Sequence, residues 1–206
     1  MTPEEILNEV ASEVAVCEDC RLHLSRKNAV PGEGPAQADL MFIGEGPGFH
    51  ENEQGRPFVG AAGRFLEELL ASIGMKREDV FIGNVVKCRP PGNRDPEPQE
   101  IEACSKYLER QIAAINPKVI VTLGRFSMAR YFPDARISKI HGQPKTVDGR
   151  LVVPMYHPAA ALHQPSLRQT VEDDFARLPE LTARGAPKEP PSPASSEPDA
   201  EQLSLF

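Results

Sequence analysis

Continuous apolar runs recur along the chain, and amphipathic segments separate them. Such runs are typical of strands that are buried on both faces of a sheet. They predict four strands, at residues 40–43, 80–86, 118–124 and 151–157, the last one after a hairpin around VDGR (147–150). Apolar positions at helical spacing predict helices over the first fifteen residues and over 62–73, 97–115, 125–132 and 168–178.

Strands that alternate with helices predict an α/β fold, a three-layer α/β/α sandwich around a mostly parallel four-stranded sheet. In such folds, ligands bind beyond the carboxyl ends of the strands. Three conspicuous segments fall there: GEGPG after the first strand, residues 84–94 around the end of the second, and HPAAAL after the last. Their convergence predicts a functional site at this edge of the sheet.

Length and charge exclude some classes of protein. The chain has 206 residues, enough for a buried core, and its formal net charge of −7 argues against wholesale coating of nucleic acid. A local basic groove is compatible with this charge, because the attraction of phosphates depends on where Lys and Arg lie. There is neither an apolar run long enough to span a membrane nor a secretory signal. We therefore expect a cytoplasmic protein without membrane contact and without structural disulfides.

The four cysteines form two pairs along the chain. Cys17 and Cys20 make a C-x2-C pair, and Cys88 and Cys104 lie downstream with fifteen residues between them. Buried free thiols, an all-cysteine zinc site and a [4Fe–4S] cluster are all compatible with this spacing. Because the cysteines flank the predicted site, we expect a structural role in which a metal centre ties the N-terminal segment to the proline-rich residues 87–98.

The glycines of GEGPG occupy positions 44, 46 and 48. In the dinucleotide-binding motif G-x-G-x-x-G the third glycine would come one position later, and a P-loop would require a Gly-Lys-Ser/Thr sequence. The segment is therefore neither of these phosphate-binding loops. Taken alone, it is also compatible with an ordinary turn.

Three motifs together are more specific than any one of them. GEGPGFHENEQGRPFVGAAG (44–63), NVVKCRPPGNRDP (84–96) and MYHPAAAL (155–162), with C-x2-C…C-x15-C interleaved, resemble the family 4 (iron–sulfur) uracil-DNA glycosylases. The resemblance runs from about Cys17 to Leu181. It implies an α/β/α sandwich, a [4Fe–4S] cluster on the four cysteines, and hydrolytic removal of uracil from single- or double-stranded DNA.

A uracil in a duplex must be turned out of the helix and held by stacking and edge hydrogen bonds. The resemblance assigns the stacking platform to Phe58. Asn84 offers an acceptor and a donor that complement uracil N3–H and O4 and mismatch cytosine. His157 is expected to donate to uracil O2, where negative charge develops as the glycosidic bond breaks. A core Phe, a strand-capping Asn and a structural His are the ordinary alternatives.

The GEGPG segment supplies the other predicted site residues. Glu45 is the candidate for positioning the attacking water and stabilising the cationic sugar. Gly46 and Gly48 are expected to leave room for the base and its sugar. Glu51 matches a pocket position of the family and is expected to shape the pocket or to order the loop.

Local positive charge must contact the DNA backbone. Candidate phosphate contacts, each with solvated surface charge as the alternative, are Lys87, Arg89, Arg94 and Arg168. Residues 159–167 correspond to the DNA-inserting loop of the family, with Leu162 as the candidate wedge. The segment after the second strand is short and lacks the histidine that becomes bonded to the abasic sugar in some relatives, so turnover is expected.

The end of the chain differs in composition from the rest. After a glycosylase domain of residues 1–181, the Pro-, Ala-, Ser- and Glu-rich residues 182–201 are expected to form a disordered linker. Residues 202–206 resemble the peptides by which bacterial repair proteins bind the sliding clamp, although a frayed end would look similar. The clamp contacts would be Gln202, Leu203, Leu205 and Phe206.

Two hypotheses of function follow. The first is a monomeric, monofunctional uracil-DNA glycosylase of base excision repair. The second is a non-catalytic iron–sulfur or zinc module that binds DNA or damaged bases and is recruited through its tail. The joint presence of Glu45, Asn84 and His157 favours the enzyme.

Overall fold

Five strands form one sheet in the computed structural model, which describes residues 1–185. The strands are β1 Leu40–Gly44, β2 Phe81–Asn84, β3 Val119–Leu123, β4 Lys145–Val147 and β5 Arg150–Met155. Their order is β2-β1-β3-β5-β4, with β4 antiparallel to β5 and the other pairs parallel. The predicted clamp peptide, and the predicted linker after residue 185, lie outside the described residues.

The sheet has one strand more than the four predicted. The additional strand, β4, is the first arm of the predicted hairpin, and it lies at the edge of the sheet. Lys145 and Thr146 are exposed, so this strand has no apolar run by which it could be recognised. A charged residue such as Lys145 on an edge strand also discourages pairing with other chains.

Helices cover both faces of the sheet. They are α1 Pro3–Val16, α2 Phe49–Gln54, α3 Ala61–Ser72, α4 Pro98–Ile115, α5 Arg125–Ala129, α6 Ile137–Ile140, α7 Pro158–His163, α8 Arg168–Ala176 and α9 Leu178–Arg184. The start of α1 is as predicted. Thr2 Oγ1 accepts a hydrogen bond from the Glu5 amide (3.2 Å) and the Glu5 carboxylate accepts one from the Thr2 amide (2.8 Å), which satisfies two free amides of the first turn.

The predicted final helix is in fact two helices. The chain leaves α8 after Ala176 and begins α9 at Leu178, with Pro179 in its first turn. A proline is tolerated there because its missing N–H would have no helical partner. Leu178 and Leu181 are buried against the sheet, so α9 belongs to the core and extends to Arg184, beyond the residue at which the linker was predicted to begin.

Alternate residues of β1 point to opposite faces of the sheet, as strand geometry requires. Leu40 and Phe42 pack with α3, α8 and α9, whereas Met41 and Ile43 pack with α4. On the outer side of α4, α1 forms a third apolar cluster that includes the cysteines. The architecture is therefore the predicted three-layer sandwich. Among residues 1–185, no helix has the length and apolar character needed to cross a membrane.

Candidate active site

A cleft of about 780 Å³ opens at the carboxyl edge of the sheet. Glu45 follows β1, Asn84 ends β2, and His157 comes two residues after β5. The structure thus brings together the residues predicted as catalytic or substrate-binding, all of which line this cleft: Glu45, Gly46, Glu51, Phe58, Asn84 and His157.

Asn84 presents an unpaired acceptor to the cleft. The residue is 2% exposed, and within the described part of the chain its side-chain Oδ1 has no hydrogen-bond partner. Leaving such an acceptor buried and unpaired costs about 1–3 kcal/mol. The side chain fits beside Gly44, where a Cβ would lie 2.5 Å from Oδ1. Asn84 is therefore held ready for a donor that the protein itself does not supply.

His157 is held as a neutral imidazole. Burial lowers its pKa to about 4, and the negative charge of Glu51 opposes this shift only in part. Its Nδ1 accepts a hydrogen bond from the Ala159 amide (3.1 Å) at the start of α7. An Nδ1 that accepts carries no proton, so the proton of the neutral ring is on Nε2. His157 consequently offers an Nε2–H donor without a full positive charge.

Phe58 adopts a backbone conformation that is rare for a residue with a side chain. Its φ is 51°, and the residue is 6% exposed. The ring stacks against His157, with 5.4 Å between ring centroids and 26° between planes. It also lies against Gly44, where a Cβ would be 2.8 Å from the ring. Position 44 therefore requires glycine, because a side chain there would clash with both Phe58 and Asn84.

Glu51 orders the loop that surrounds the cleft. Its Oε1 accepts hydrogen bonds from the amides of Val59 (2.8 Å) and Gly60 (2.9 Å), and its Oε2 accepts one from Gly48 (3.1 Å). These bonds join the GEGPG turn, α2 and the start of α3 through one carboxylate. With three amide donors already bound, Glu51 acts here as a scaffold for the cleft wall.

Glu45 lies in a partly buried position close to other charges. Burial raises the pKa of its carboxyl group, the negative charge of Asp95 raises it further, and Arg125 opposes the shift. Asp95 forms an ion pair with Arg125 at the rim of the cleft. The carboxylate of Glu45 is therefore less solvated and more basic than a surface glutamate, which suits a group that orients water.

The expected reason for two glycines was wrong. A Cβ at Gly46 would lie 2.7 Å from Cγ2 of Val86, and a Cβ at Gly48 would lie 2.8 Å from Oε2 of Glu51. Both glycines line the cleft, but a Cβ at either position would meet a neighbouring protein segment, so glycine is needed there for close approach within the protein.

Comparison with known proteins agrees with this geometry. The sequence profile of the uracil DNA glycosylase superfamily matches residues 31–178. The chain belongs to this superfamily. It is 50% identical to the type-4 uracil-DNA glycosylase of Sulfurisphaera tokodaii over 185 residues, which cover 85% of this chain and 84% of the relative. Identity to the type-4 enzyme of Archaeoglobus fulgidus is 47% over 192 residues (89% and 96%), and to that of Thermotoga maritima 46% over 182 residues (85% and 94%). Within the superfamily, the chain groups with the type-4 uracil-DNA glycosylases.

The four cysteines of this type-4 member border one small cavity beside α1 and α4, and none is in a disulfide. Two N–H groups donate to their sulfurs: the Lys87 amide to Cys104 Sγ (3.2 Å) and the Arg26 guanidinium to Cys88 Sγ (3.4 Å). Burial raises the pKa of the Cys104 thiol to about 11. A thiolate at this position therefore requires a bound cation, which is the ordinary condition of a metal-ligating cysteine.

The arrangement of the thiols bears on the kind of metal centre. Within residues 1–185, no three possible ligands converge on the position of a single metal ion. Zinc would draw its four sulfurs to about 2.3 Å from one point, whereas an iron–sulfur cluster keeps its thiolates further apart, each on its own iron. Four thiols around one cavity suit a metal centre, and both kinds of centre can be held by four cysteine ligands.

The structure contradicts one of the predicted contacts with the DNA backbone and shows that two others are in ion pairs. Lys87 is 1% exposed and cannot reach a phosphate. Arg94 lines the cleft but forms a two-pronged ion pair with Glu100 (2.6 and 2.9 Å). Arg168 pairs with Glu172 (2.9 Å) and Glu68 (3.2 Å).

Three of the predicted DNA-contact residues are accessible. The Arg168 side chain is 51% exposed in spite of its ion pairs. Leu162 of α7 is 42% exposed, although it is not part of the cleft wall. Arg89 retains an accessible guanidinium whose Nε donates to Asn93 (2.7 Å).

Arg77, a residue that the sequence analysis did not identify, holds Phe58 in place. Its guanidinium donates to the carbonyl oxygens of Pro57 and Phe58, the latter at 2.8 Å, and pairs with Glu33 at 2.9 Å. Gly63 also packs directly against Phe58, because a Cβ at Gly63 would overlap the Phe58 carbonyl. Arg77 stands in a short turn with no motif around it, and only its three-dimensional contacts reveal the role.

Lys87 is a second residue whose role appears only in the structure. Its Nζ donates to the backbone oxygen of Asn84 (3.1 Å) and to Oε1 of Gln111 (2.7 Å), and Gln111 donates to the Pro31 oxygen (2.7 Å). Since the Lys87 amide donates to Cys104, this one residue joins the cysteine cavity to the end of β2.

Proposed function

We propose that this chain is a monofunctional uracil-DNA glycosylase that turns uracil out of DNA and hydrolyses its N-glycosidic bond, leaving an abasic site in the repair of deaminated cytosine. The observation that carries the proposal is the buried, unpaired Oδ1 of Asn84 in a cleft shared with Glu45 and a neutral His157. The curated relatives named above carry the same activity in their names.

Asn84 would read the uracil edge. Its unpaired Oδ1 can accept from N3–H, and its amide NH₂ can donate to O4. Cytosine presents an acceptor at N3 and an amino donor at position 4, so both contacts would become repulsive and both groups of Asn84 would stay unsatisfied. Phe58 would stack on the face of the base, as aromatic side chains do for extruded bases.

His157 and Glu45 would act on the bond between C1′ and N1. As that bond breaks, its electron pair moves onto the uracil ring, and the Nε2–H of His157 stabilises the charge that develops on O2. The Glu45 carboxylate favours the cationic sugar and orients a water molecule, whose oxygen adds to C1′. That water's proton passes to Glu45, and the uracil anion takes up a proton from solvent.

We also propose that Cys17, Cys20, Cys88 and Cys104 hold a [4Fe–4S] cluster. When bound, the cluster supplies a rigid cross-link between the N-terminal segment, the loop after β2 and α4. None of the four cysteines lines the cleft, which supports a structural role. Iron and sulfide analysis, together with the visible absorption of a brown preparation, tests this proposal. A colourless protein that contains zinc would refute it.

For contact with DNA, we propose Leu162 as the wedge that fills the vacated stack, because it is exposed on the helix that begins next to His157. Arg94 and Arg168 would be weaker phosphate contacts, because each already forms ion pairs with carboxylates of the protein. Replacing Leu162 with alanine should reduce activity on duplex DNA more than on single strands. Equal effects on both substrates would argue against a wedge.

The C-terminal residues 202–206 are proposed to bind a sliding clamp through Gln202, Leu203, Leu205 and Phe206. The support is their resemblance to clamp-binding peptides at the end of a segment rich in Pro, Ser and Glu. Deleting these five residues should leave activity on short oligonucleotides intact and abolish co-elution with the clamp. Retained co-elution would refute the assignment.

One assay tests the central proposal. Purified protein is incubated with an oligonucleotide that contains one uracil, and alkali then cleaves any abasic site. Strand breakage at uracil is expected, and its absence, with DNA still bound, would favour the non-catalytic alternative. His157→Ala should slow cleavage while sparing DNA binding, and Asn84→Asp should weaken the preference for uracil over cytosine. His163→Ala is the matched control, because His163 lines the same cleft without an assigned role.

A further inference from the structure

Phe49 is a large aromatic residue exposed at the mouth of the cleft. It is 53% exposed, and it lines the same cleft as Asn84 and His157. Exposing about half of a phenylalanine is unfavourable, since burying it would remove apolar area from water. Neither base recognition nor bond cleavage, as described above, uses this residue.

Arg89 lies over the Phe49 ring, with its guanidinium carbon 5.4 Å from the ring centroid. Its Nε donates to Oδ1 of Asn93 (2.7 Å), which fixes the guanidinium in that position. Within residues 1–185, no carboxylate forms an ion pair with Arg89, in contrast to Arg94 and Arg168. The rim of the cleft therefore presents an exposed aromatic ring with a guanidinium over it, and no carboxylate of residues 1–185 neutralises that guanidinium.

We propose that Phe49 and Arg89 form a binding site for the nucleotide adjacent to the extruded uracil. The neighbouring base would stack on the Phe49 ring, and the phosphate next to it would contact Arg89. An aromatic side chain beside a guanidinium can bind a planar base and the phosphate next to it, and single-stranded DNA presents this combination at every nucleotide. A base in a duplex is already stacked, so the site favours single strands. The proposal rests on the proposed function, because it places the uracil in the cleft.

The chain contains no tryptophan, which provides a direct test. Phe49→Trp introduces a single indole whose fluorescence is quenched when a base stacks on it. The probe is a single-stranded oligonucleotide without uracil, so the readout does not depend on bond cleavage. Phe132→Trp is the matched control: Phe132 also lies under a cation, Lys145 at 5.7 Å, but it does not line the cleft. Quenching is expected in the Phe49→Trp variant and not in the Phe132→Trp variant.

A second measurement locates the contact. Loss of one base stack weakens binding by roughly 5- to 150-fold. Phe49→Ala should therefore raise KM for a single-stranded uracil substrate within that range, and Phe49→Tyr should restore it. In the parent enzyme, replacing the base on one side of uracil with an abasic spacer should raise KM to the value of the Phe49→Ala variant. In the Phe49→Ala variant, the same spacer should leave KM unchanged. Additive effects of spacer and substitution would overturn the proposal.

The outcomes separate this proposal from the proposed function. If the parent enzyme fails to release uracil while the indole of Phe49→Trp is quenched, the proposed activity is wrong and the stacking site stands. If uracil is released but Phe49→Trp is quenched no more than Phe132→Trp, the stacking site is wrong. If Arg89 contacts a phosphate, Arg89→Gln should lower the slope of log affinity against log salt concentration by about one. An unchanged slope would show that Arg89 makes no phosphate contact.

Discussion

Replacing Arg77 with methionine should impair uracil removal, although it changes none of the residues proposed to contact the base. Arg77 is 12% exposed and donates to the carbonyls of Pro57 and Phe58. Glu33, its main ionic partner, would keep Arg56 as a second partner (2.7 Å). The loss therefore falls chiefly on the two carbonyl oxygens, which hold Phe58 at its φ of 51°.

The expected magnitudes follow from these contacts. Hydrogen bonds from a charged group contribute about 1.5–3 kcal/mol each, so the loss of two partly exposed ones should cost about 3 kcal/mol of stability. For a domain of this size, that lowers Tm by roughly 6–12 °C. A left-handed conformation stores about 1–3 kcal/mol of strain, which Arg77 no longer opposes in the variant. A corresponding loss of about 1–3 kcal/mol of transition-state binding, through displacement of Phe58, should lower kcat/KM by roughly 5- to 150-fold.

Arg56→Met is the matched control for this experiment. Arg56 pairs with the same carboxylate but is 56% exposed, so its loss should cost no more than about 1 kcal/mol. Thermal unfolding and single-turnover uracil release are measured for both variants at a temperature where both stay folded. If Arg77→Met is destabilised yet retains the parental kcat/KM, Arg77 does not position Phe58. If both variants lose activity equally, the ion pair with Glu33 matters and the carbonyl contacts do not.

Three further outcomes are expected. Gly44→Ala should abolish uracil binding, because its Cβ would lie 2.5 Å from Asn84 Oδ1, whereas Gly83→Ala, with its nearest contact at 3.5 Å, should be tolerated in the same binding assay. The proposed role of Glu45 requires its carboxylate form, so activity should fall as pH drops through the raised pKa of that group. Asp95→Asn removes a negative charge and should move this acid limb to lower pH. The pKa of His157 is about 4 in the folded state against 6.5 as its ordinary value, so the unfolded state binds more protons between these pH values. Unfolding free energy should therefore fall as pH is lowered from 6.5 to 4, and it should fall less in His157→Asn, as chemical denaturation at several pH values would show.

The predictable part of this fold is the part that depends on apolar runs. The parallel strands are recognisable in the sequence because both of their faces are buried, and their carboxyl ends indicate where the cleft lies. Strand β4 was not recognised, because an exposed edge strand leaves no such pattern. The division of the last helix into α8 and α9 is not apparent from the sequence, because a proline after a helical run indicates the end of a helix, whereas Pro179 lies in the first turn of α9.

The predictable part of the site is the part with chemically distinctive side chains. Asn84, His157 and Glu45 could be proposed from strand ends and from the chemistry of uracil, but uracil itself was implied only by the resemblance to the family 4 glycosylases. The direction of a Cβ could not be known, so the reason for Gly46 was wrong although the requirement for glycine was right. Arg77 and Lys87 act through backbone carbonyls, and a carbonyl oxygen leaves no trace in the sequence.

Three features of the free protein are individually unfavourable, and together they define what the cleft accepts. Asn84 has an unpaired acceptor, burial keeps the imidazole of His157 from taking up a second proton, and the pKa of Glu45 is raised by burial and by Asp95. Each is relieved by a different part of one reaction: a ring N–H, a carbonyl oxygen that gains electrons, and a sugar that becomes cationic. A base that supplies only one of these leaves the other two unrelieved, so recognition and bond cleavage depend on the same groups. Under the proposed function, selectivity for uracil therefore arises from the same three groups that act on the bond, because each is in an unfavourable state in the free protein.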